Sequence, residues 1–253
     1  MKTPISVTII TLNEEKNLKK TLVALQGWAD EIIVVDSGST DKTQEIAKSF
    51  KAKFLVNTWQ GYGQQKNFAQ SQTSNPWVLN IDADEVLTDQ IKNEIDQNLQ
   101  NADREQVSGY SIARKSFYVG RWIKYGGWYP SRVVRLAKKT SSKWTESPVH
   151  EELVVQGTVK KLQSPLDHYT FHSIKDQVLT NVRYATQGGE ALSLRGKKAN
   201  LFLLVFKPIG KFVETYFLKL GFLDGTRGFI ISVNAAHSMF LKYASLYEKA
   251  WKQ

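Results

Sequence analysis

Cysteine is absent from this chain of 253 residues. Its absence excludes a disulfide scaffold, thiolate zinc sites, iron–sulfur clusters and a cysteine nucleophile. Long apolar runs are missing too. The longest uncharged, apolar-rich stretch, residues 228–241, has 14 residues, whereas a membrane-spanning helix needs about 20. The first 12 residues show no signal-peptide pattern. We therefore expect a protein of the reducing cytoplasm.

The charge that is present is unevenly distributed. The formal net charge is +10, yet residues 1–100 carry 10 Lys/Arg and 13 Asp/Glu, a net of −3. Residues 101–189 carry a net of +7 and residues 190–253 a net of +6. The last 150 residues are therefore expected to meet an anionic partner, either nucleic acid or an anionic membrane surface.

Strand and helix patterns alternate through the first hundred residues. Apolar, β-branched runs predict strands at 6–12, 31–35, 54–56 and 77–81. Amphipathic helices are predicted between them, and the last one begins after Thr88 and ends near Leu99. This alternation predicts an α/β fold with a parallel sheet that is covered on both faces. Such sheets bind ligands at the carboxyl ends of their strands.

The second half of the chain has a different pattern. Strands are predicted at 110–118 and 132–136, with an aromatic and glycine-rich loop at 120–129. Helical periodicity covers 173–194. It returns over 201–251, with expected breaks at Lys207-Pro208 and at three glycines, Gly221, Gly225 and Gly228.

Three polar motifs follow predicted strands. They are Thr11-Leu12-Asn13-Glu14-Glu15, the segment 36–41 and Asp82-Ala83-Asp84. Carboxylates at the end of a buried strand need a compensating cation. Two hard oxygen donors one residue apart suit Mg²⁺ or Mn²⁺. The alternative is that Asp84 and Glu85 cap the next helix. P-loop and dinucleotide-binding glycine motifs are absent, which disfavours those enzyme classes.

In this order and spacing, the motifs resemble the nucleotide-sugar domain of family-2 inverting glycosyltransferases. The resemblance rests on residues 6–15, 33–41 and 82–84. It implies a GT-A fold, in which a Rossmann-like, mostly parallel sheet has helices on both faces, and a UDP-sugar donor. It also implies a catalytic domain over 1–195, with a nucleotide-sugar half (1–100) and an acceptor half (101–195). Residues 196–253 are then a basic, aromatic helical extension.

The resemblance also implies roles for individual residues at the donor. Residues of the first two motifs, Leu12 among them, are expected to bind the donor. Thr11, Glu14 and Asp36 are expected to line the uridine pocket. Many members have a second Asp where this chain has Ser37, so we assign the contact with the nucleobase of the uridine to Asp36. Asp82 and Asp84 are expected to hold a divalent metal, Mg²⁺ or Mn²⁺, on the diphosphate.

Further segments resemble a narrower branch, the glucosyltransferases that extend inner-core heptose in lipopolysaccharide or lipooligosaccharide. They are residues 61–69, 129–136, 149–153 and 221–228. The branch implies inverting transfer of a hexose, glucose, from a UDP-sugar to heptose of the inner core. The alternatives are another lipid-linked or cell-surface polysaccharide acceptor and, from a different class, a nucleotidyltransferase.

An inverting displacement needs a base on the acceptor hydroxyl and charge stabilisation at the leaving diphosphate. Besides Asp84, the resemblance implies a catalytic carboxylate after the second half of the sheet. Glu151 is the expected base and Glu152 the alternative, with His150 able to orient it. The cations expected near the phosphates or the acceptor are Lys66, Arg132 and Arg135.

The remaining features have several possible interpretations. His168 and His172 could form a structural pair, edge the acceptor pocket or bind a metal. A nucleic-acid-binding protein would show a recognised reader module, and none is present. A nucleotidyltransferase would usually have a Gly-rich signature with Arg and Lys after the first strand, where this chain has the acidic motif containing Glu14. The aromatic, basic tail predicts peripheral attachment to the inner face of the cytoplasmic membrane; packing on the catalytic domain is the alternative.

Overall fold

A computed structural model describes residues 3–147 and 151–251. The chain forms two compact units, the first from Met1–Arg114 and Arg132–Tyr169, the second from Lys115–Ser131 and Thr170–Gln253. The strands are β1 (Ile5–Thr11), β2 (Glu31–Asp36), β3 (Lys53–Val56), β4 (Trp77–Asp82), β5 (Glu85–Val86), β6 (Val107–Tyr118), β7 (Arg121–Trp122), β8 (Ser131–Lys138), β9 (Ser142–Trp144), β10 (Leu153–Val155), β11 (Thr158–Lys161) and β12 (Leu166–Phe171). The helices are α1 (Leu18–Leu25), α2 (Thr43–Ser49), α3 (Tyr62–Ser71), α4 (Asp89–Asn101), α5 (Ile174–Leu194), α6 (Leu201–Val213) and α7 (Gly225–Trp251).

The first unit begins with four parallel strands in the order β3-β2-β1-β4. β1 is buried along nearly its whole length because helices cover both faces of the sheet. Its apolar side chains Ile5, Val7 and Ile9 enter the main core together with the buried face of α1. The α/β fold and the alternating order predicted for the first hundred residues are therefore confirmed.

Beyond β4 the sheet is mixed. The path continues β4-β8-β6-β12-β5, and β8 runs antiparallel to β4, as β12 does to β5. This pairing brings residues of the second half of the sequence beside the carboxyl ends of the first strands. Thr88 caps α4 by accepting a hydrogen bond from the Ile91 amide at 3.4 Å. The alternative that Asp84 and Glu85 cap this helix is therefore wrong.

The second unit is mainly helical. α5 packs along α7, where the Asn181 side chain donates to the Asn234 carbonyl at 3.3 Å. A buried network also joins Tyr118 and Asn234 to the Gln177 side chain, at 2.5 Å and 2.7 Å. The second compact unit therefore contains α5 together with the C-terminal helices, whereas the sequence predicts a boundary after residue 195.

Two predicted breaks in the tail are wrong. α6 continues through Pro208, which removes only one backbone donor from a helix that packs against α7. α7 begins at Gly225 and continues through Gly228. A Cβ at Gly228 would lie 1.8 Å from the Gly221 carbonyl oxygen, so this glycine allows close packing rather than ending the helix. No helix in the described part of the chain is long and apolar enough to span a bilayer.

Candidate active site

The three polar motifs meet at one edge of the sheet. β1 pairs with β2 through Thr11↔Asp36 and with β4 through Ile10↔Asp82. Because these strands are parallel, their carboxyl ends lie side by side. α1 fixes the third motif from one side, since the buried Thr21 hydroxyl donates to the Ala83 carbonyl at 2.6 Å.

Asp36 organises the turn after β2. Its carboxylate accepts hydrogen bonds from the amides of Gly38 and Ser39 at 2.8 Å and 2.6 Å. It also accepts from the Thr11 hydroxyl at 2.8 Å and from the Ser39 hydroxyl at 2.5 Å. A carboxylate has about four lone-pair sites, so the protein itself engages this side chain fully. Its direct contact with a base remains a prediction.

The loop after β1 joins this turn. Asn13 has a positive φ of 56°, a conformation that Asn tolerates better than most residues. Its amide donates to the Ser39 hydroxyl at 2.7 Å, and its side-chain oxygen accepts from the Thr40 amide at 2.9 Å. Beside it Leu12 is 54% exposed, which leaves an apolar side chain open to solvent at the strand end.

Glu14 lies near three other acidic side chains. Burial raises the pKa of Glu14 above its usual value, and the charges of Asp84, Asp41 and Asp82 raise it further, against one lowering hydrogen bond from Asn17. A cation bound at this edge would relieve that repulsion.

Lys66 connects two of the predicted carboxylates. It lies on α3 and is buried, with its ammonium 2.7 Å from Glu151 and 3.4 Å from Asp82. The same ammonium is 4.4 Å from the centre of the Trp144 ring. Lys66 therefore holds Glu151 beside the end of β4.

The position of Glu151 follows from the packing of α3 on β9. The Asn67 side chain pairs with the Trp144 backbone through two hydrogen bonds, of 2.9 Å and 3.0 Å. A Cβ at Gly63 would lie 2.0 Å from the Thr145 carbonyl oxygen, so helix and loop are in backbone contact. Thr145 in turn pairs with the Glu152 backbone.

Asp82 is also bound by Arg135, from β8. The Arg135 guanidinium donates to Asp82 and, at 2.6 Å, to Glu85. Glu85 is completely buried. Arg114 lies 3.7 Å from Oε1 of Glu85, and Oε2 of Glu85 accepts a hydrogen bond from the Asp82 amide at 3.0 Å. Although burial opposes ionisation, Arg135 and Lys66 hold the pKa of Asp82 well below its usual range. Burial likewise disfavours the charged guanidinium, but Asp82 and Glu85 raise the pKa of Arg135.

Asp84 has a different neighbour. β12 pairs with β5 through His168↔Glu85, and His168 Nε2 lies 3.2 Å from an Asp84 oxygen. Burial alone would lower the pKa of His168, but the hydrogen bond with Asp84 and the charges of Asp84 and Glu85 raise it above its usual value.

The donor set fits a divalent cation that also binds substrate phosphates. Mg²⁺ in phosphate-binding sites takes one or two protein carboxylates and fills its other positions with water and substrate oxygens. Asp82 and Asp84 have side chains that are 32% and 25% exposed, and Asp84 has the fewer protein partners. In the described residues no group of three or more His, Asp or Glu is spaced to hold a metal ion by itself.

Some predicted residues lie apart from this cluster. Arg132 donates to the Leu162 carbonyl at 2.8 Å; because it is three positions from Arg135 in a strand, the two side chains point to opposite faces. Glu152 is exposed, in contrast to Glu151. His172 is exposed in the second unit, and His150 lies outside the described residues. The donor-binding role of Arg132 stays a prediction.

The sequence reasoning missed Arg114 and Trp144, and it gave Glu85 and His168 other roles: a helix cap for Glu85, and a structural pair, an acceptor-pocket edge or a metal site for His168. Glu85 follows Asp84 directly, so an acidic residue in a buried strand was the available signal. The other three come close to the site only through pairing and packing over long sequence separations. For Arg114 and Trp144 the sequence offered no local signal.

Comparison with known proteins identifies the family of the chain. The family model described as glycosyl transferase family 2 matches residues 6–146. The chain belongs to glycosyltransferase family 2. The resemblance noted from the motifs is therefore confirmed, and with it the GT-A fold and glycosyltransferase activity as a class.

Full-length relatives of this family-2 member are also known. The chain is 32% identical to the lipopolysaccharide core biosynthesis glycosyltransferase LpsC of Rhizobium meliloti, over 98% of this chain and 93% of that protein. It is 33% identical to an uncharacterized glycosyltransferase of Rickettsia typhi, over 98% of this chain and 88% of the relative.

Some solved structures show partial likeness to this chain. TarS of S. aureus aligns with a TM-score of 0.48 at 17% identity, over 74% of this chain and 40% of that one. Glucosyl-3-phosphoglycerate synthase from Mycobacterium tuberculosis, crystallised with Mn²⁺ and UDP-glucose, aligns with a TM-score of 0.37 at 25% identity. That alignment covers 46% of this chain and 44% of the synthase.

Proposed function

We propose that this glycosyltransferase transfers a hexose from a UDP-sugar to a heptose of a lipopolysaccharide or lipooligosaccharide inner core. The hexose is glucose, and the transfer inverts the configuration of its anomeric carbon. The observation that carries the proposal is the placement of Glu151 next to Asp82 through Lys66. It joins a carboxylate suited to act as a base to the strand end that carries the Asp-x-Asp motif. Relatedness to LpsC, named as a lipopolysaccharide core enzyme, supports the acceptor class.

In this proposal Glu151 removes the proton of the acceptor hydroxyl. The acceptor oxygen bonds to the anomeric carbon as the bond from that carbon to the diphosphate oxygen breaks, and UDP leaves. Attack from the face opposite the leaving group inverts the configuration. Glu151 suits this role because its side chain is only 17% exposed yet held by Lys66 at 2.7 Å.

The leaving diphosphate needs positive charge. A Mg²⁺ or Mn²⁺ ion bound by Asp84 and Asp82 would neutralise charge that develops on the diphosphate. Lys66 and Arg135 keep Asp82 ionised and fixed at the strand end. Thr11, Leu12 and Glu14 form the loop at which we place the uridine, and the turn ordered by Asp36 closes it. We place the reaction in the cytoplasm.

The test is release of UDP from a panel of UDP- and other nucleotide sugars, with and without Mn²⁺ or Mg²⁺, followed by addition of inner-core acceptors. We expect turnover with UDP-glucose that rises with a heptose-containing acceptor. Nucleotide incorporation into the acceptor instead of sugar would identify a nucleotidyltransferase. Turnover with another polysaccharide acceptor alone would exclude the inner-core assignment.

The role of Glu151 has a matched control one residue away. Glu151→Gln keeps the shape of the side chain but removes its basicity, so the transfer rate should fall by about 10²–10⁴ with donor binding preserved. Glu152→Gln makes the same change on an exposed side chain and should leave the rate within twofold. The reverse pattern would move the base to Glu152, and a product that retains the donor configuration would contradict the mechanism.

A further inference from the structure

Helix α6 is apolar but has no buried residue. Leu201 and Phe202 at its start are 73% and 63% exposed, and Phe206 and Ile209 are 55% and 53% exposed. Large apolar side chains rarely form such a continuous exposed surface unless something covers them. The helix contacts α7 along one side. Packing inside the second unit therefore leaves the opposite side of α6 uncovered.

The segment leading into α6 is basic. Residues 191–213 contain no Asp or Glu and five cations, Arg195, Lys197, Lys198, Lys207 and Lys211. The first four are exposed and form no ion pair within the described part of the chain. Leu194, next to Arg195, is 85% exposed. Exposed cations and exposed apolar side chains therefore occupy the same short stretch, which we call the α6 face (residues 194–213).

Exposed apolar residues continue past the helix. Phe217 and Leu218 are 53% and 75% exposed. Here the charges differ, because Lys211 and Lys219 both pair with Glu214, at 3.0 Å and 2.5 Å. The unpaired positive charge is thus concentrated at the beginning of the α6 face.

We propose that the α6 face docks on an anionic lipid bilayer, with its apolar side chains in the interface and its cations at the headgroups. Charge complementarity selects this occupant, because Arg195, Lys197, Lys198 and Lys207 have no acidic partners among the described residues, and Lys211 alone of the five cations is paired. A second copy of the chain would bring two faces of the same positive charge together. At 13 residues, or about 20 Å, α6 is shorter than the hydrocarbon core of a membrane, about 30 Å thick.

The proposal is tested by co-sedimentation with vesicles of phosphatidylcholine and phosphatidylglycerol, and with vesicles of phosphatidylcholine alone. The intact protein should bind the anionic vesicles at low salt, at least tenfold more than the neutral ones, and release them at high salt. Failure to bind anionic vesicles at low salt would overturn the proposal.

Two sets of variants separate the contributions of charge and apolar contact. Arg195, Lys197, Lys198 and Lys207, all changed to Gln, should reduce binding at least tenfold. The matched control changes four exposed lysines of the first unit to Gln: Lys48, Lys51, Lys143 and Lys161. Equal losses in both sets would show that only net charge matters and would overturn the assignment to this face.

The apolar contribution is tested with Phe202→Ser combined with Phe206→Ser. Both residues are exposed, so the fold should persist, and unchanged UDP release from donor in solution serves as the check. Loss of vesicle binding supports the proposal. If the pair instead converts a stable dimer to a monomer in analytical ultracentrifugation and leaves vesicle binding unchanged, the face is an interface between copies and the proposal fails.

Discussion

Replacing Arg135 with Met should destabilise the first unit far more than the same change at Arg132. Arg135 donates to Asp82 and to Glu85, which is completely buried. Without it Glu85 retains Arg114, 3.7 Å away, as its nearest cation. Removing one partner of a buried ion pair costs about 3–5 kcal/mol, because the other charge stays buried without compensation.

The matched control comes from the same strand. Arg132→Met removes an equal side chain that makes one hydrogen bond, to the Leu162 carbonyl, and whose charge helps to lower the pKa of Glu94. A hydrogen bond from a charged donor contributes about 1.5–3 kcal/mol, and less where solvent competes. We therefore expect a loss near 1.5 kcal/mol for Arg132→Met. Domains of this kind are stable by about 5–15 kcal/mol, so both variants should fold at low temperature.

The measurement is urea unfolding followed by tryptophan fluorescence at pH 7, since Trp77 and Trp144 belong to the first unit. Adding Glu85→Gln to Arg135→Met removes the uncompensated charge and should recover part of the loss. The double variant should therefore lose less free energy of unfolding than the sum of the single variants. Equal losses for Arg135→Met and Arg132→Met, or strict additivity with Glu85→Gln, would refute the buried network.

Three further predictions concern other parts of the first unit. Asp84→Ala should keep the free energy of unfolding within about 1 kcal/mol but lower UDP release by orders of magnitude; normal turnover would exclude the metal role. Glu94 accepts hydrogen bonds from two loop amides, which lower its pKa below 4.5 although burial alone would raise it. Its contribution to stability is present above pH 4.5 and is lost as the pH falls through the lowered pKa, so Glu94→Gln should flatten that acid limb of the unfolding curve. Gly63→Ala forces a Cβ against the Thr145 carbonyl and should lower the free energy of unfolding by about 1–3 kcal/mol. It should also lower the rate of sugar transfer more than the affinity for donor. Equal losses of rate and affinity would contradict coupling to Glu151.

The sequence predicted the elements whose signals are local. Strands that are buried on both faces, such as β1 and β4, read as continuous apolar runs with a polar end. Thr88 could be identified as a cap because its hydroxyl acts on residues three positions away. Thr11, Asp36 and Asp82 end their strands and could be assigned to one edge of the sheet, because parallel order fixes which strand ends lie together.

What could not be predicted depends on pairings across long sequence separations. Lys66 and Glu151 are 85 positions apart, and Arg135 is 53 positions from Asp82. Nothing local distinguishes Arg135 from Arg132 except strand alternation, and that requires knowing which face of β8 is turned to the site. The break expected at Pro208 failed for a related reason, because packing on α7 outweighs a local helix-breaking preference.

The two carboxylates of the Asp-x-Asp motif have different environments, and this difference suggests a division of work. Asp82 is held between Lys66 and Arg135, so its charge is already balanced by the protein. Among the described residues the Asp84 carboxylate has His168 as its one ion-pair partner. It shares its edge with Glu14, whose raised pKa reflects burial and negative charge nearby. A cation at this edge would bind more favourably to Asp84 than to Asp82, because the Asp84 carboxylate would lose fewer contacts with the protein. In the proposed mechanism Asp82 ties the site to Glu151 through Lys66, so that the proposed base and the proposed diphosphate site lie at the same strand end.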